Sequence, residues 1–313
     1  MALISLNVVS KGNIAHLPTT STDTVQHCAA PQTNADARYW LPGPPPRRRI
    51  KELRPPENLP CIKHHLKIPV RKVNLWSFQN RTSTTLAPYF DVRKATSSLD
   101  GNTLSTTQRY LFHGCANEIS PALLESFSRY GPSIYFSRPQ SYFSRTPGVY
   151  WTESLDFAFA WCVFSETGHW EPKLSPETTP FECLIYVSRV EQNILIDESH
   201  CYMVPTPSNY DEEQQLVEWC DSNMSKSAEP DRVPPPYSNR SDWPLIGSRI
   251  PQHTMDSLAS FNVREFPALG TTRVQDIVMY AACDEKMSYR LASAGVEILH
   301  LVSLPPSSHR AML

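Results

Sequence analysis

Three short stretches carry the side chains whose types could do chemistry: LFHG at 111–114, PGVYWTESLDFAFAWC at 147–162 and VQDIVMY at 274–280. The first ends an apolar run with an imidazole, His113, set against Gly114. The second holds a phenol, Tyr150, then Thr152, then an aromatic-rich segment ending near Trp161. The third begins with an amide and an acid, Gln275 and Asp276. Neighbours on a strand point to opposite faces, so only one of these two can enter a common cleft. Other chemistries lack their partners. Cys115 lies two residues from His113, but no acid is identifiable to orient the pair, so a cysteine nucleophile is not indicated. His64, His65, His169, His200 and His253 have no metal-ligand spacing. Neither a phosphate-cradling P-loop nor a dinucleotide fingerprint is present. Each candidate also has an ordinary reading: His113 as a hydrogen-bonded structural residue, Tyr150 and Trp161 as core aromatics, Thr152 and Ser154 as helix caps, and Gln275 as the end of a strand.

Taken together and in this order, the three stretches resemble the His–Tyr–Glu class of ADP-ribosyltransferases across residues 108–304. The helical part of the second is similar to the poly(ADP-ribose) polymerase pattern. A closer likeness is to ADP-ribosyltransferase-like domains of unknown function from fungi and bacteria, which also carry an Ile-Gly loop and a terminal Gln-containing strand, here DWPLIGSR and VQDIVMY. The resemblance implies NAD as co-substrate and a protein as acceptor. Breaking the nicotinamide–ribose bond passes through an oxocarbenium-like state, so nicotinamide and ribose must be held rigidly and positive charge favoured. By resemblance, His113 would bond a ribose hydroxyl of the adenosine half. The Gly114 backbone would pair with the nicotinamide carboxamide, a close approach that a side chain would block. Tyr150 would stack on the nicotinamide, Trp161 takes the place of the second aromatic, and Thr152 lies within the same cofactor-binding stretch.

Two departures shape the functional expectation. Ala158 stands where the polymerase-like pattern has serine, removing a contact of about 1 kcal/mol. Gln275 stands where the class has its catalytic glutamate. An amide can still bond a ribose hydroxyl but brings no negative charge, a loss of about 3–4 kcal/mol of transition-state stabilisation. Polymer elongation is therefore not expected. The expectation is a mono-ADP-ribosyltransferase-like protein, with Gln275 and His113 in catalytic roles. The alternative is a catalytically silent module of the same fold that binds a protein or an ADP-ribose-like ligand.

The elements that must position these residues read as α+β: an ADP-ribosyltransferase-like split β-sheet core, with peripheral helices and a disordered N-terminal arm. RYLFHG reads as a strand. ISPALLESFSRYG reads as a helix capped at Ser120, with Pro121 in its first turn and Gly131 as its stop. PGVYWT is a strand leading into a helix with Leu155, Ala158, Phe159 and Cys162 on one apolar face. FECLIYVSRV, NILIDES, VQDIVMYAAC and VEILHLVSL read as strands. EEQQLVEWCDSN reads as a helix with Leu216, Val217 and Cys220 inward and a solvated acidic start. A helix-like stretch lies near 254–262, and KMSYRLASAG is a helix closing at Gly295.

Residues 1–60 read as a Pro/Arg-rich arm that cannot build a core, 61–107 as a linker or accessory strands, 222–242 as a surface insertion and 305–313 as a tail. The 29 prolines against 10 glycines favour extended stretches. Near-balanced charge, 29 basic against 31 acidic residues, gives no global field toward nucleic acid. A basic run at 47–72 is the one local patch; it reads as a solvated linker, with a nuclear-import or polyanion-binding patch as the alternative. Eight scattered cysteines suggest reduced thiols. With no apolar run of about 18 residues and no secretory signal pattern, the expected place is intracellular, cytoplasmic or nuclear, without a membrane partner.

Overall fold

The structure, a computed structural model, describes residues 65–74, 79–80, 89–90, 104–115, 119–137, 141–144, 146–167, 181–224, 243–249 and 277–303. The arm at 1–60, the helix-like stretch near 254–262, the tail and most of the insertion at 222–242 lie outside them. Its strands are β1 (Val70–Asn74), β2 (Gln79–Asn80), β3 (Tyr89–Phe90), β4 (Gln108–Cys115), β5 (Val149–Thr152), β6 (Phe181–Glu191), β7 (Cys201–Met203), β8 (Leu245–Arg249), β9 (Val278–Ala282) and β10 (Gly295–Ser303). Its helices are α1 (Pro121–Tyr130), α2 (Leu155–Thr167), α3 (Asn193–Ile196), α4 (Tyr210–Met224) and α5 (Glu285–Ser293). Strands β2 and β3 form a separate pair.

The other strands make one mixed sheet in the order β1-β10-β6-β4-β5-β9-β8-β7. The class is therefore α+β, with antiparallel pairing throughout except for the parallel β1–β10 and β7–β8 edges. The sheet nearly parts at its centre. Strands β4 and β6 are in register along the whole of β4, from Gln108–Glu191 to Cys115–Leu184. Strands β4 and β5 share only the pair Phe112–Thr152. To one side lie β1, β10, β6 and β4; to the other, β5, β9, β8 and β7.

Local chemistry sets the helix ends. Ser120 Oγ accepts from Leu123 N–H at 3.1 Å, and Pro121 occupies the first turn of α1 where a missing N–H costs nothing. Gly131 ends the helix at φ 65°, and a Cβ there would lie 2.6 Å from the Ala292 Cβ. Ser154 caps α2 by accepting from Phe157 N–H at 3.1 Å, while Thr152 Oγ1 accepts from Ser154 N–H at 3.2 Å. Asp284 caps α5 through Met287 N–H at 2.6 Å.

Two apolar clusters pack against the sheet. The first gathers Leu111, Trp151, Tyr186, Leu299 and Leu291 with many others, and the second gathers Phe143, Tyr150, Trp219, Ile246 and Ala281. Helix α2 serves both. The expected face of Leu155, Ala158, Phe159 and Cys162 joins the first, and Phe157, Ala160 and Trp161 join the second.

Several expectations are corrected. Asn193–Ile196 of NILIDES is one helical turn, closed by Asp197 N–H to the Asn193 carbonyl at 2.9 Å, not a strand. LIGSR of DWPLIGSR is strand β8 rather than a loop, because β7 and β9 pair with it on both sides. Gly295 opens β10 instead of closing α5, whose cap is Ala294. The acidic start of α4 is not wholly solvated: Glu213 is 2% exposed and ion-paired with Arg249.

Candidate functional site

The single β4–β5 pair fixes which side chains share a face. Phe112 stands opposite Thr152, so one step along, His113 and Trp151 fall on one face and Gly114 and Tyr150 on the other. Ring contacts agree. The His113 ring lies 5.6 Å from Trp151 and 6.1 Å from Phe127, whereas Tyr150 lies in the second cluster, 5.4 Å from Phe143. The imidazole and the phenol therefore do not line one hollow. They meet through the backbone instead: His113 Nδ1–H donates to the Tyr150 carbonyl at 2.8 Å. Where β4 and β5 part, the imidazole bridges the two strands through that carbonyl.

His113 has no exposed surface. Burial disfavours its charged form and holds its pKa well below the usual imidazole range, against the opposing pull of the Tyr150 carbonyl. It is a neutral ring carrying its proton on Nδ1.

Gly114 is crowded by the protein itself. A Cβ there would lie 2.5 Å from Cys162 Sγ and 2.9 Å from the Ala158 carbonyl oxygen. The close approach expected of a nicotinamide carboxamide is made by helix α2. Tyr150 is 0% exposed, and its hydroxyl accepts from Phe143 N–H at 3.1 Å. Burial pushes its pKa well up, while its hydrogen bonds with the Ser141 side chain and the Phe143 N–H pull the other way. Trp161 is 3% exposed and packs 5.6 Å from Phe157. Thr152, also 0% exposed, spends its hydroxyl on Ser154 N–H. Gln275 and Asp276 lie outside the described residues; the next residue, Ile277, is buried in the second cluster.

Gly114, Tyr150 and Trp161 are thus drawn to the α2 side of the split, and His113 faces away. Sequence reasoning missed the residues that close this side. Phe143 stacks on Trp219 of α4 at an interplanar angle of 8°. Asn223 Nδ2 donates to the Tyr142 carbonyl at 2.9 Å. A 3–4 spacing through Glu213, Leu216, Trp219, Cys220 and Asn223 was available to mark the buried stripe of α4; Val217, expected inward, is half-buried.

Among the described residues no group of three or more His, Cys, Asp or Glu could hold a metal ion, and no helix is long and apolar enough to cross a membrane. The six described cysteines are buried thiols. Burial pushes Cys283 and Cys201 up to about 12, which leaves them protonated and poorly nucleophilic. No family model, curated protein or solved structure matches the chain.

Proposed function

We propose that the chain carries an ADP-ribosyltransferase-like module whose dinucleotide cleft is filled by its own side chains, so that it is catalytically silent. The observation that carries this reading is the state of Tyr150. Its ring is wholly enclosed and its hydroxyl is engaged by Phe143 N–H, so the face meant to stack on nicotinamide is already covered. The opening of the sheet between the His113 and Tyr150 strands supports the split core that the resemblance implies. The crowding of Gly114 by α2 supports the loss of the carboxamide contact. Gln275 in place of glutamate points the same way, since it removes the charge that stabilises the oxocarbenium-like state. The role left to such a module is recognition of a partner protein rather than group transfer.

Incubation of the full chain with labelled NAD, alone and with cell extract as a source of acceptors, tests the reading. Nicotinamide release and label on protein should both stay at background. Transfer of label that Gln275→Ala diminishes would instead establish the mono-ADP-ribosyltransferase.

A further inference from the structure

The two ends of the large sheet are built differently. At one end β7 is three residues long, and the chain runs from it into Pro205 and Pro207. Proline withholds the donors that a further strand needs. At the other end β1 runs for five residues, in parallel register with β10 from Val70–Ile298 to Asn74–Val302. The Pro69 carbonyl accepts from Ile298 N–H at 2.8 Å. Alternate residues of a parallel ladder turn their backbone groups to the same neighbour. Pro69, Arg71 and Val73 therefore face β10, and the N–H and C=O of Val70 and Lys72 face outward. Among the described residues no strand pairs with that side. The charge along this edge is of one sign. Lys67 and Lys72 are exposed, and neither has an ion-pair partner among the described residues. The acids on nearby strands are already matched: Glu297 takes two Arg71 nitrogens at 2.9 and 3.0 Å, and Glu182 bonds His300 Nε2 at 3.0 Å. Val70, 41% exposed, adds apolar surface between the two lysines. The basic run at 47–72, nine Lys and Arg against Glu52 and Glu57, ends on this strand.

We propose that the outer edge of β1 takes an acidic, extended peptide of a partner protein as an added strand. Main-chain bonds to Val70 and Lys72 hold the peptide, and its carboxylates lie beside Lys67 and Lys72. The same lysines disfavour a second copy of this chain, because pairing edge to edge sets like charges against each other. A nucleic acid answers the charge but lacks the alternating donors and acceptors that a strand edge requires. The inference goes beyond the silent cleft and does not depend on it, since NAD turnover would leave this edge unchanged.

The test follows the fluorescence anisotropy of a short labelled peptide of alternating glutamate and valine as the full chain is added. The peptide should bind, more weakly as salt is raised, and its lysine–valine counterpart should not. Charge reversal, Lys67→Glu with Lys72→Glu, should weaken binding by about tenfold or more. Lys72→Pro removes one outward N–H, leaves the ladder to β10, and should weaken binding as much. Melting of each variant checks its fold. Should proline prevent folding, a peptide N-methylated at alternate residues tests the same pairing from the other side and should not bind. Three results each overturn the proposal: no binding at millimolar peptide, binding untouched by charge reversal, or binding untouched by loss of backbone donors. Capture of a single-stranded oligonucleotide instead of the peptide overturns it as well and assigns the edge to nucleic acid.

Discussion

An imidazole with no exposed surface can take up a proton only at a cost to the fold, and His113 makes that cost measurable. Its native pKa lies below the unfolded value of 6.5, so the unfolded chain binds the proton first as pH falls. Stability is then complete above about 6.5 and declines on acidification, by at most about 1.4 kcal/mol per pH unit for one such group. Denaturant unfolding at several pH values should show this slope, and His113→Gln, which keeps a donor, should flatten it. An unchanged slope would place the titration elsewhere. Tyr150 behaves as a core residue. Tyr150→Ala should cost about 3–5 kcal/mol of stability rather than leave the fold intact as a ligand-stacking residue would. A near-neutral loss in chemical denaturation would contradict its burial. Gln275→Glu alone should bring no NAD turnover, since the ring that would hold nicotinamide stays covered. The sequence made these positions legible as a group but not their directions. Strand alternation relative to a neighbour needs the register, and Phe112 opposite Thr152 is a tertiary fact that no local spacing encodes.

Elements were more legible where side-chain chemistry is local. The Ser120–Pro121–Gly131 signals bound α1 because cap and stop act within a few residues. The apolar face of α2 was readable from its period, although its second buried face was not, because a helix apolar on both sides has no polar stripe to orient it. NILI failed for another reason: three apolar residues after an asparagine fit a strand or a helical turn equally well. Helix α4 hides the most consequential pair. Glu213 and Arg249, with side chains 3% and 14% exposed, form an ion pair linking the helix to β8. Arg249→Met takes the guanidinium away from a buried carboxylate, so it should cost about 3–5 kcal/mol. The double change Glu213→Leu with Arg249→Met should recover most of that loss. A double variant as unstable as the single one would show that packing, not the buried charge, dominates there.

At the scale of the whole molecule the chain crosses the central opening repeatedly. Strand β4 lies on one side, β5 on the other, β6 returns, β7, β8 and β9 cross again, and β10 ends between β1 and β6. Most neighbours in the sheet are far apart in sequence: the Arg71 side chain pairs with Glu297, 226 positions away. Such wiring favours slow folding, because long loops must close before their contacts stabilise them. It also means that the strands of each half come from separate stretches of the chain. A chain truncated after Ala294 would remove the strand that joins β1 to β6, and it should lose cooperative unfolding by circular dichroism; a sharp transition would show that β10 is dispensable. The same wiring explains why the α+β class was readable while the strand order was not: composition and period name the elements, but their neighbours are chosen across the sequence. Equilibrium melting of the full chain with added NAD separates the proposed self-filled cleft from an open one. With the cleft filled, the melting temperature should stay unchanged even at millimolar NAD. A rise corresponding to about 2.7 kcal/mol, as expected at 100 times the dissociation constant, would contradict it.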